Sequence, residues 1–527
     1  MQGKHWDAVV IGTGFGGSMT AYKLVNAGLS VLMLERGDWV VRDESSWDSR
    51  AILIDQKYKS ATPYETNHWI GKKLVYPNDV VGGSSVFYGA ASLRLRVEDF
   101  DAGLKFGADI PHALQGATWP ICYDDLAPYY DEAEKLLDVH GVAGVDPNEP
   151  PRATGYASEP PAFSRPARLI AQAGETLGLH PFPIPLAINF GDSSDRTTCI
   201  QCMTCDLFPC KIAAKNDLAV TVLPSCESRG ATIKTNTVAA SLAINKGKVT
   251  GVHCLDTQTY EQFLVECDLC VVSCGAIASP ALLLASGLGE SGLNGKHIGR
   301  HLMRHCSGIA IGLFPATTNP EQVFHKQVAF TDFYLGHPDG LDPPGPWGMM
   351  QGLQVPPPEY MTGAAPFPVG QLGAATCKFH IYLLCIAEDL PNPNNRVTLS
   401  NSKTDQYGQP IKQVTHKYDQ RDLAARRGLY RQAMRVLKAA GAKMRVRKPI
   451  NTFSHAQGTC RFGNDPNLAV LDQNCQFFGV PNLYVVDASF MPTSAGVNPS
   501  LTIAANALRV GEHLVENWEA LKRGIGS

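Results

Sequence analysis

The chain has 527 residues with 44% hydrophobic and 18% charged content, a globular composition too long for one ordinary core, so two or more domains are expected. A net charge of −3 gives no footprint for nucleic acid, and no apolar run approaches the length of a membrane span. A core strand already under way at residue 8 leaves no room for a signal peptide, and the glycosylation match Asn498-Pro499-Ser500 is excluded by its proline; the expected location is cytoplasmic.

Ala8 to Ile11 is a short β-branched apolar run and reads as a buried strand. Gly12, Gly14 and Gly17 follow at GxGxxG spacing, then a helix with Met19, Leu24 and Val25 on its apolar face, ended by Gly28. Leu29 to Leu34 is a second strand, and Glu35 closes it. This is a complete βαβ dinucleotide unit. Gly12 allows the tight turn, Gly14 lets a pyrophosphate approach the backbone, and Gly17 lets helix pack on strand. Glu35 is placed to accept both ribose hydroxyls, which favours FAD or NAD over NADP. A second match, Gly287 to Gly292, has no preceding strand and reads as a turn.

Gly82-Gly83-Ser84-Ser85 is a second small-residue loop, able to bring backbone N–H groups to a phosphate or flavin, or to serve as a plain turn. Residues 100–195 are rich in proline and aromatics, with one good helix near Asp124–Leu137. A helix is expected over Leu218–Arg229, and strands over 231–236, 238–244, 248–255 and 263–274. Gly275 to Gly289 is a helix opened by Gly-Ala and closed by Gly. The proline- and glycine-dense stretch 310–375 reads as loops, either a substrate lid or a surface excursion. Asp419–Ala442 is a helix with Leu423, Tyr430, Met434 and Leu437 on one face and Arg427, Arg431, Arg435 and Lys438 on another, a basic stripe that reads as a solvated face or as a docking surface for an acidic redox partner. The last segment, SHAQGTCRFG, NLYVVDASFMP and GVNPSLTIAANAL, gives a strand ending at Asp487 and a turn entering a helix.

Fifteen cysteines without a secretory signal argue against a disulfide framework. Cys254, Cys274, Cys377 and Cys385 sit among apolar neighbours as buried thiols. Cys199, Cys202, Cys205 and Cys210 form C-x2-C-x2-C-x4-C. This spacing is close to a ferredoxin run, though its proline precedes the last cysteine. An iron–sulfur cluster (3Fe-4S or 4Fe-4S), zinc, and free thiols or a local disulfide are all open readings.

Four segments in order, the N-terminal glycines, the Gly82–Ser85 loop, Gly275–Gly289 and the C-terminal HAQGTCRFG…VVDASFMP…GVNPSLTIAA, resemble the glucose–methanol–choline (GMC) oxidoreductase family over nearly the whole chain. The resemblance implies an α/β protein: a Rossmann-like FAD-binding domain (1–100, 198–310 and 455–527) with an inserted, mainly antiparallel substrate domain (101–197 and 311–454) and a cysteine-rich loop at 199–210. It implies that Gly12, Gly14, Gly17, Glu35, Gly83, Ser84, Asp487 and Asn498 lie close to FAD. It also implies that His455 is the active-site base and Asn498 its partner, as in His–Asn branches of the family. Tyr88-Gly89 stands where the family often has Asn-Gly. No histidine lies between Gly82 and Arg96 to attach FAD covalently. The expected activity is oxidation of an alcohol or sugar CH–OH group, with hydride passing to flavin N5 and His455 taking the proton. Electrons would go to an external acceptor or electron-transfer partner, through a cluster if the cysteines hold one. An oxygen-using oxidase, and a lyase or decarboxylase on the same scaffold, are the alternatives.

Overall fold

The computed structural model describes residues 4–68, 71–106, 116–191, 196–290, 292–337, 339–340, 343, 345–364 and 366–525. β1 (Trp6–Ile11), α1 (Phe15–Asn26) and β2 (Val31–Leu34) form the unit expected from the N-terminal sequence. β1 and β2 pair in parallel and are buried along nearly their whole length. Apolar residues facing both ways are what a parallel strand covered on both faces requires.

Thr232–Lys234 continues the sheet beyond β2, and Gln262–Val272 pairs in parallel on the other side of β1. The far half of Gln262–Val272 then pairs in parallel with Leu483–Val485. Its near half pairs antiparallel with Lys248–Asp256, which pairs with Thr237–Asn245 to complete seven strands. The N-terminal unit is thus closed by strand and helix from the far end of the chain. The helix Ser500–Glu516 lies on α1 at Gly511, where a Cβ would come within 2.8 Å of the Lys23 side chain. Thr20 Oγ1 donates to the Ala507 carbonyl at 3.2 Å across the same contact.

A second sheet of six strands runs in the order 444–449, 308–313, 380–387, 348–353, 328–330, 182–183, with every pair antiparallel. The helix Gln420–Ala439 covers it. Ala425, Leu429, Ala433, Val436 and Leu437 are buried with Leu383 and Cys385, a broader apolar face than Leu423, Tyr430, Met434 and Leu437 suggest. Gly308 lets the helix approach, since a Cβ there would strike Tyr430 Oη. The helix starts on Asp419, whose carboxylate accepts from Arg421 N at 2.9 Å. Arg427, Arg431, Arg435 and Lys438 are exposed, as a solvated stripe should be. The fold is α/β, a Rossmann-like domain joined to an antiparallel one.

Two expectations need correction. The stretch 310–375 is not only loop: it supplies strands Val328–Phe330 and Gly348–Leu353 and helices Pro358–Ala364 and Val369–Thr376. Its glycines partly serve strand approach, since Gly348, at φ +115°, would place a Cβ 2.0 Å from the Ile386 carbonyl oxygen. Residues 100–195 hold a second long helix, Arg165–Thr176, besides the expected one at Tyr123–Leu136. Pro166 in its first turn masks it, although proline is tolerated there. In the second glycine match, Leu288–Glu290 is a single 3₁₀ turn and Ser291 lies outside the described residues. Among the described residues no helix is long and apolar enough to cross a membrane.

Candidate active site

The nucleotide cradle is built almost wholly from backbone. Gly12 sits at φ +98°, and a Cβ there would lie 2.3 Å from the Ser273 carbonyl oxygen. Gly17 would place a Cβ 2.0 Å from Gly12 O, so α1 can meet β1 only through glycine. Gly14 differs: a Cβ there meets nothing within 4 Å. An open approach to the backbone at this glycine is what a dinucleotide pyrophosphate requires. Gly83, at φ +56°, faces it, its own Cβ position 3.5 Å from Gly14 Cα. The two glycine loops, separated in sequence, therefore form one wall.

Thr13 ties them together. Its Oγ1 accepts from Gly82 N at 2.9 Å and donates to Glu35 Oε2 at 2.6 Å, while its N–H reaches the same oxygen at 3.2 Å. Gly37 N donates to Glu35 Oε1 at 3.1 Å. Burial raises the Glu35 pKa against these bonds. A carboxylate offers about four acceptor sites, and with three taken by Thr13 N, Thr13 Oγ1 and Gly37 N, Glu35 keeps about one for a ribose hydroxyl. Ser84 is exposed beside this wall. Asp487 holds a third segment: its Oδ2 accepts from Gly275 N at 3.0 Å and from Ser279 Oγ, and its Oδ1 from Ser489 N at 2.9 Å. It locks the start of helix Ala278–Ala285 to the C-terminal strand. Sequence reasoning does not see that bracing role, nor Thr13.

In the C-terminal motifs, His455 and Asn498 do not hydrogen-bond each other among the bonds of the described residues. His305 joins their segments. Its Nδ1 lies 2.8 Å from His455 Nδ1, and its Nε2 lies 2.9 Å from the carbonyl oxygen of Ser494, four residues before Asn498. Gln457 Nε2 approaches the same carbonyl at 3.4 Å. Burial, with His305 and Lys326 adding to it, holds His455 well below the usual imidazole pKa. His455 is therefore neutral near pH 7. Asn498 Oδ1 is buried with no hydrogen-bond partner. A buried amide oxygen left so fits a site meant for a polar ligand.

The segment carrying Asn498 is pinned residue by residue. Trp119 Nε1 donates to Thr493 Oγ1 at 2.9 Å, and Asp389 N to Ser494 Oγ at 2.9 Å. Ala495 N reaches Glu388 Oε1 at 3.2 Å, and Gly496 N reaches Tyr334 Oη at 3.1 Å. Tyr334 Oη donates to Asp99 Oδ2 at 2.7 Å, and Lys105 Nζ sits between Asp99 (2.5 Å) and Glu388 (2.8 Å). The Lys105, Asp99 and Glu388 side chains are fully enclosed. No sequence pattern pointed to His305 or to this buried ion cluster. The available signals were slight, an acid ending the apolar run His380–Ala387 and a lone lysine in Gly103-Leu104-Lys105-Phe106.

The structure gives no support to a metal site at Cys199, Cys202, Cys205 and Cys210. Among the described residues no group of three or more His, Cys, Asp or Glu side chains is arranged to hold a metal ion, and all four thiols are free. The thiols are near enough to raise one another's pKa; burial, with Cys202 and Cys210 adding, puts Cys199 at about 11. What the loop wraps is a lysine. Lys215 Nζ donates to the carbonyls of Cys205 (3.0 Å), Phe208 (2.7 Å) and Tyr88 (3.0 Å). Those carbonyls turn inward to satisfy the ammonium, and the loop takes its shape from that. Cys254 and Cys385 are buried as expected, whereas Cys274 and Cys377 are only half-buried.

Two family models, both described as GMC oxidoreductase, match residues 16–307 and 391–507. The chain is 34% identical to 6'''-hydroxyparomomycin C oxidase of Streptomyces lividus, over 98% of this chain and 92% of that protein. It is 33% identical to paromamine 6'-oxidase of Streptomyces fradiae (96% and 90%) and 31% identical to 2-methyl-1,2-propanediol dehydrogenase of Mycolicibacterium austroafricanum (96% and 95%). The crystal structure of pyridoxine 4-oxidase superposes with a TM-score of 0.69 at 20% identity, covering 96% of this chain and 99% of that one; this likeness bears on the fold alone.

Proposed function

This chain belongs to the GMC oxidoreductase family, and from that premise we propose that it oxidises a CH–OH group of a small alcohol or sugar with His455 as base. FAD, when bound, would supply the two-electron acceptor. Gly12, Gly14, Gly17, Glu35, Gly83 and Ser84 would hold its nucleotide portion, with Asp487 bracing the segments around it.

The observation that carries the reading is a half-buried, neutral imidazole joined through His305 to a pinned segment that carries an unsatisfied amide oxygen. His455 takes the hydroxyl proton of the substrate as its C–O bond becomes a carbonyl. A base of low pKa is unprotonated and ready over the neutral range. Asn498 hydrogen-bonds the substrate and fixes which C–H is presented. The ion cluster holds Asn498 in place, so little order remains to be gained on binding. The names of the relatives support the substrate class: they include a diol dehydrogenase and two oxidases of paromomycin-type compounds.

Anaerobic mixing with a panel of sugars, amino sugars and diols tests this. Bleaching of the flavin absorbance by a member of the panel is the expected result; a substrate turned over with no bleaching would establish lyase chemistry instead. The reduced enzyme, mixed with air-saturated buffer or with a quinone, then reports whether dioxygen or an external acceptor takes the electrons.

A further inference from the structure

We propose that His305 is a positioning residue that sets the tautomer of His455, leaving His455 Nε2 as the nitrogen that accepts the substrate's proton. The inference rests on His455 being the base, and it adds which nitrogen acts and what fixes it.

The argument follows protons along one chain of contacts. His305 Nε2 faces the carbonyl oxygen of Ser494 at 2.9 Å, with the Ala495 carbonyl also near. Gln457 Nε2 also lies 3.3 Å from His305 Nε2, but it has the Ser494 carbonyl at 3.4 Å to donate to; carbonyl oxygens only accept, and the nearer 2.9 Å contact assigns the hydrogen to His305 Nε2. His305 is 1% exposed, and burial holds its pKa below the usual value although Asp389 and the two carbonyls oppose this. A neutral ring has one N–H, so His305 Nδ1 is a bare acceptor. His455 Nδ1 lies 2.8 Å from it. Two bare nitrogens cannot sit at that distance without repulsion, so His455 Nδ1 carries the hydrogen between them. His455 is itself neutral, held so by burial with the Lys326 charge adding to it. Its single proton is therefore spent on His305, and Nε2 keeps a lone pair. The rings are perpendicular, 5.0 Å between centroids, so the N–H···N bond rather than stacking defines the contact.

The backbone supports a dedicated role. His305 sits at φ +60°, unusual for a residue with a β-carbon. It is held there on every side: Tyr418 Oη donates to its carbonyl at 2.8 Å, Arg304 N to Asp389 Oδ2 at 2.9 Å, and Cys306 N to the Ala387 carbonyl at 2.8 Å. Strain maintained by so many bonds is a recurring mark of a functional position. When His455 Nε2 accepts a proton, the ring becomes a cation. Its Nδ1–H bond to His305 then strengthens, and His305 passes the polarisation to the Ser494 carbonyl. The same carbonyl belongs to the segment that carries Asn498, so base and amide are positioned by one relay.

Histidine-selective ¹⁵N labelling of the FAD-loaded enzyme, with long-range ¹H–¹⁵N correlation and a His455→Gln spectrum for assignment, reads the tautomer directly. The expected pattern is protonated Nδ1 and bare Nε2 on His455; protonated Nε2 there overturns the proposal. Kinetics supply a second reading. His305→Asn places an amide oxygen near the lost Nδ1 and should restore turnover to within about tenfold of the native enzyme, whereas His305→Leu should lower kcat by about 100-fold with KM little changed. His305→Asp should raise the apparent pKa of the acid limb of kcat/KM. Equal activity of the Asn and Leu variants, or an acid limb unmoved by Asp, contradicts it. If Leu loses flavin, the native spectrum and the Asn and Asp variants still decide. Failure of the underlying reading shows separately, as unchanged turnover in His455→Ala.

Discussion

Around Gly14 the molecule is held by main chain: glycines that admit no side chain, and one threonine hydroxyl joining two loops and Glu35. Around Asn498 it is held by enclosed charge: Lys105 between Asp99 and Glu388, with Tyr334 carrying the bond onward to Gly496. The difference is what the proposed roles of the two sides call for. A pyrophosphate needs close approach to N–H groups, and any Cβ obstructs it. A small hydroxylic substrate needs a few polar atoms in fixed places, and buried ion pairs and hydrogen bonds supply fixity. The first kind of construction should fail by clash, the second by loss of compensation.

The largest break is expected on the charged side. Lys105→Met leaves two enclosed carboxylates without their cation and should destabilise the protein by about 3–5 kcal/mol in urea unfolding; a loss under 1 kcal/mol would show that the cluster does not brace this side. The cradle offers a sharper contrast between two like substitutions. Gly17→Ala forces a Cβ against Gly12 O and should cost about 1–3 kcal/mol of stability. Gly14→Ala meets nothing and should leave the melting temperature of the FAD-free protein within experimental scatter, yet should weaken FAD retention on dilution. If Gly14→Ala binds FAD as tightly as the native chain, the open space has been assigned to the wrong ligand.

Acid should act through the buried histidines. His305, His325 and His455 are all held below the usual imidazole pKa by burial. A histidine kept neutral in the fold takes its proton more readily when unfolded. Its contribution is therefore complete above pH 6.5 and is lost as pH falls below 6.5 toward the folded pKa. Each such group removes up to about 1.4 kcal/mol per pH unit in that window, so melting temperature should hold from pH 8 to 6.5 and fall steeply toward pH 5. The acid limb of kcat/KM should likewise lie below pH 6.5. Thr13→Val removes two hydroxyl bonds between loops and should cost about 1–2 kcal/mol while loosening FAD.

Legibility divides along the same line. Glycine spacing, β-branched runs and a closing acid are local, so the cradle from Gly12 to Glu35 could be read directly, and its closure by the C-terminal strand followed from Val485 to Asp487. His455 and Asn498 were legible as positions within dense motifs. His305 was not: its meaning lies in a contact 150 residues away, and Arg304-His305-Cys306 has no periodicity or spacing of its own. Lys105 and Glu388 were hidden for the same reason, 283 residues apart. The four cysteines were legible only as a spacing, and among the described residues no metal-holding group assembles from them. Their spacing is regular, but the loop is organised around Lys215, whose role depends on three carbonyls that no side-chain pattern encodes.

The most direct test of the account is the rate of flavin reduction by substrate in anaerobic stopped-flow, native enzyme against His455→Ala, with both confirmed to carry FAD. The account predicts that the variant keeps its flavin spectrum and reduces about 100-fold to 10,000-fold more slowly. Equal reduction rates with flavin bound in both would contradict it.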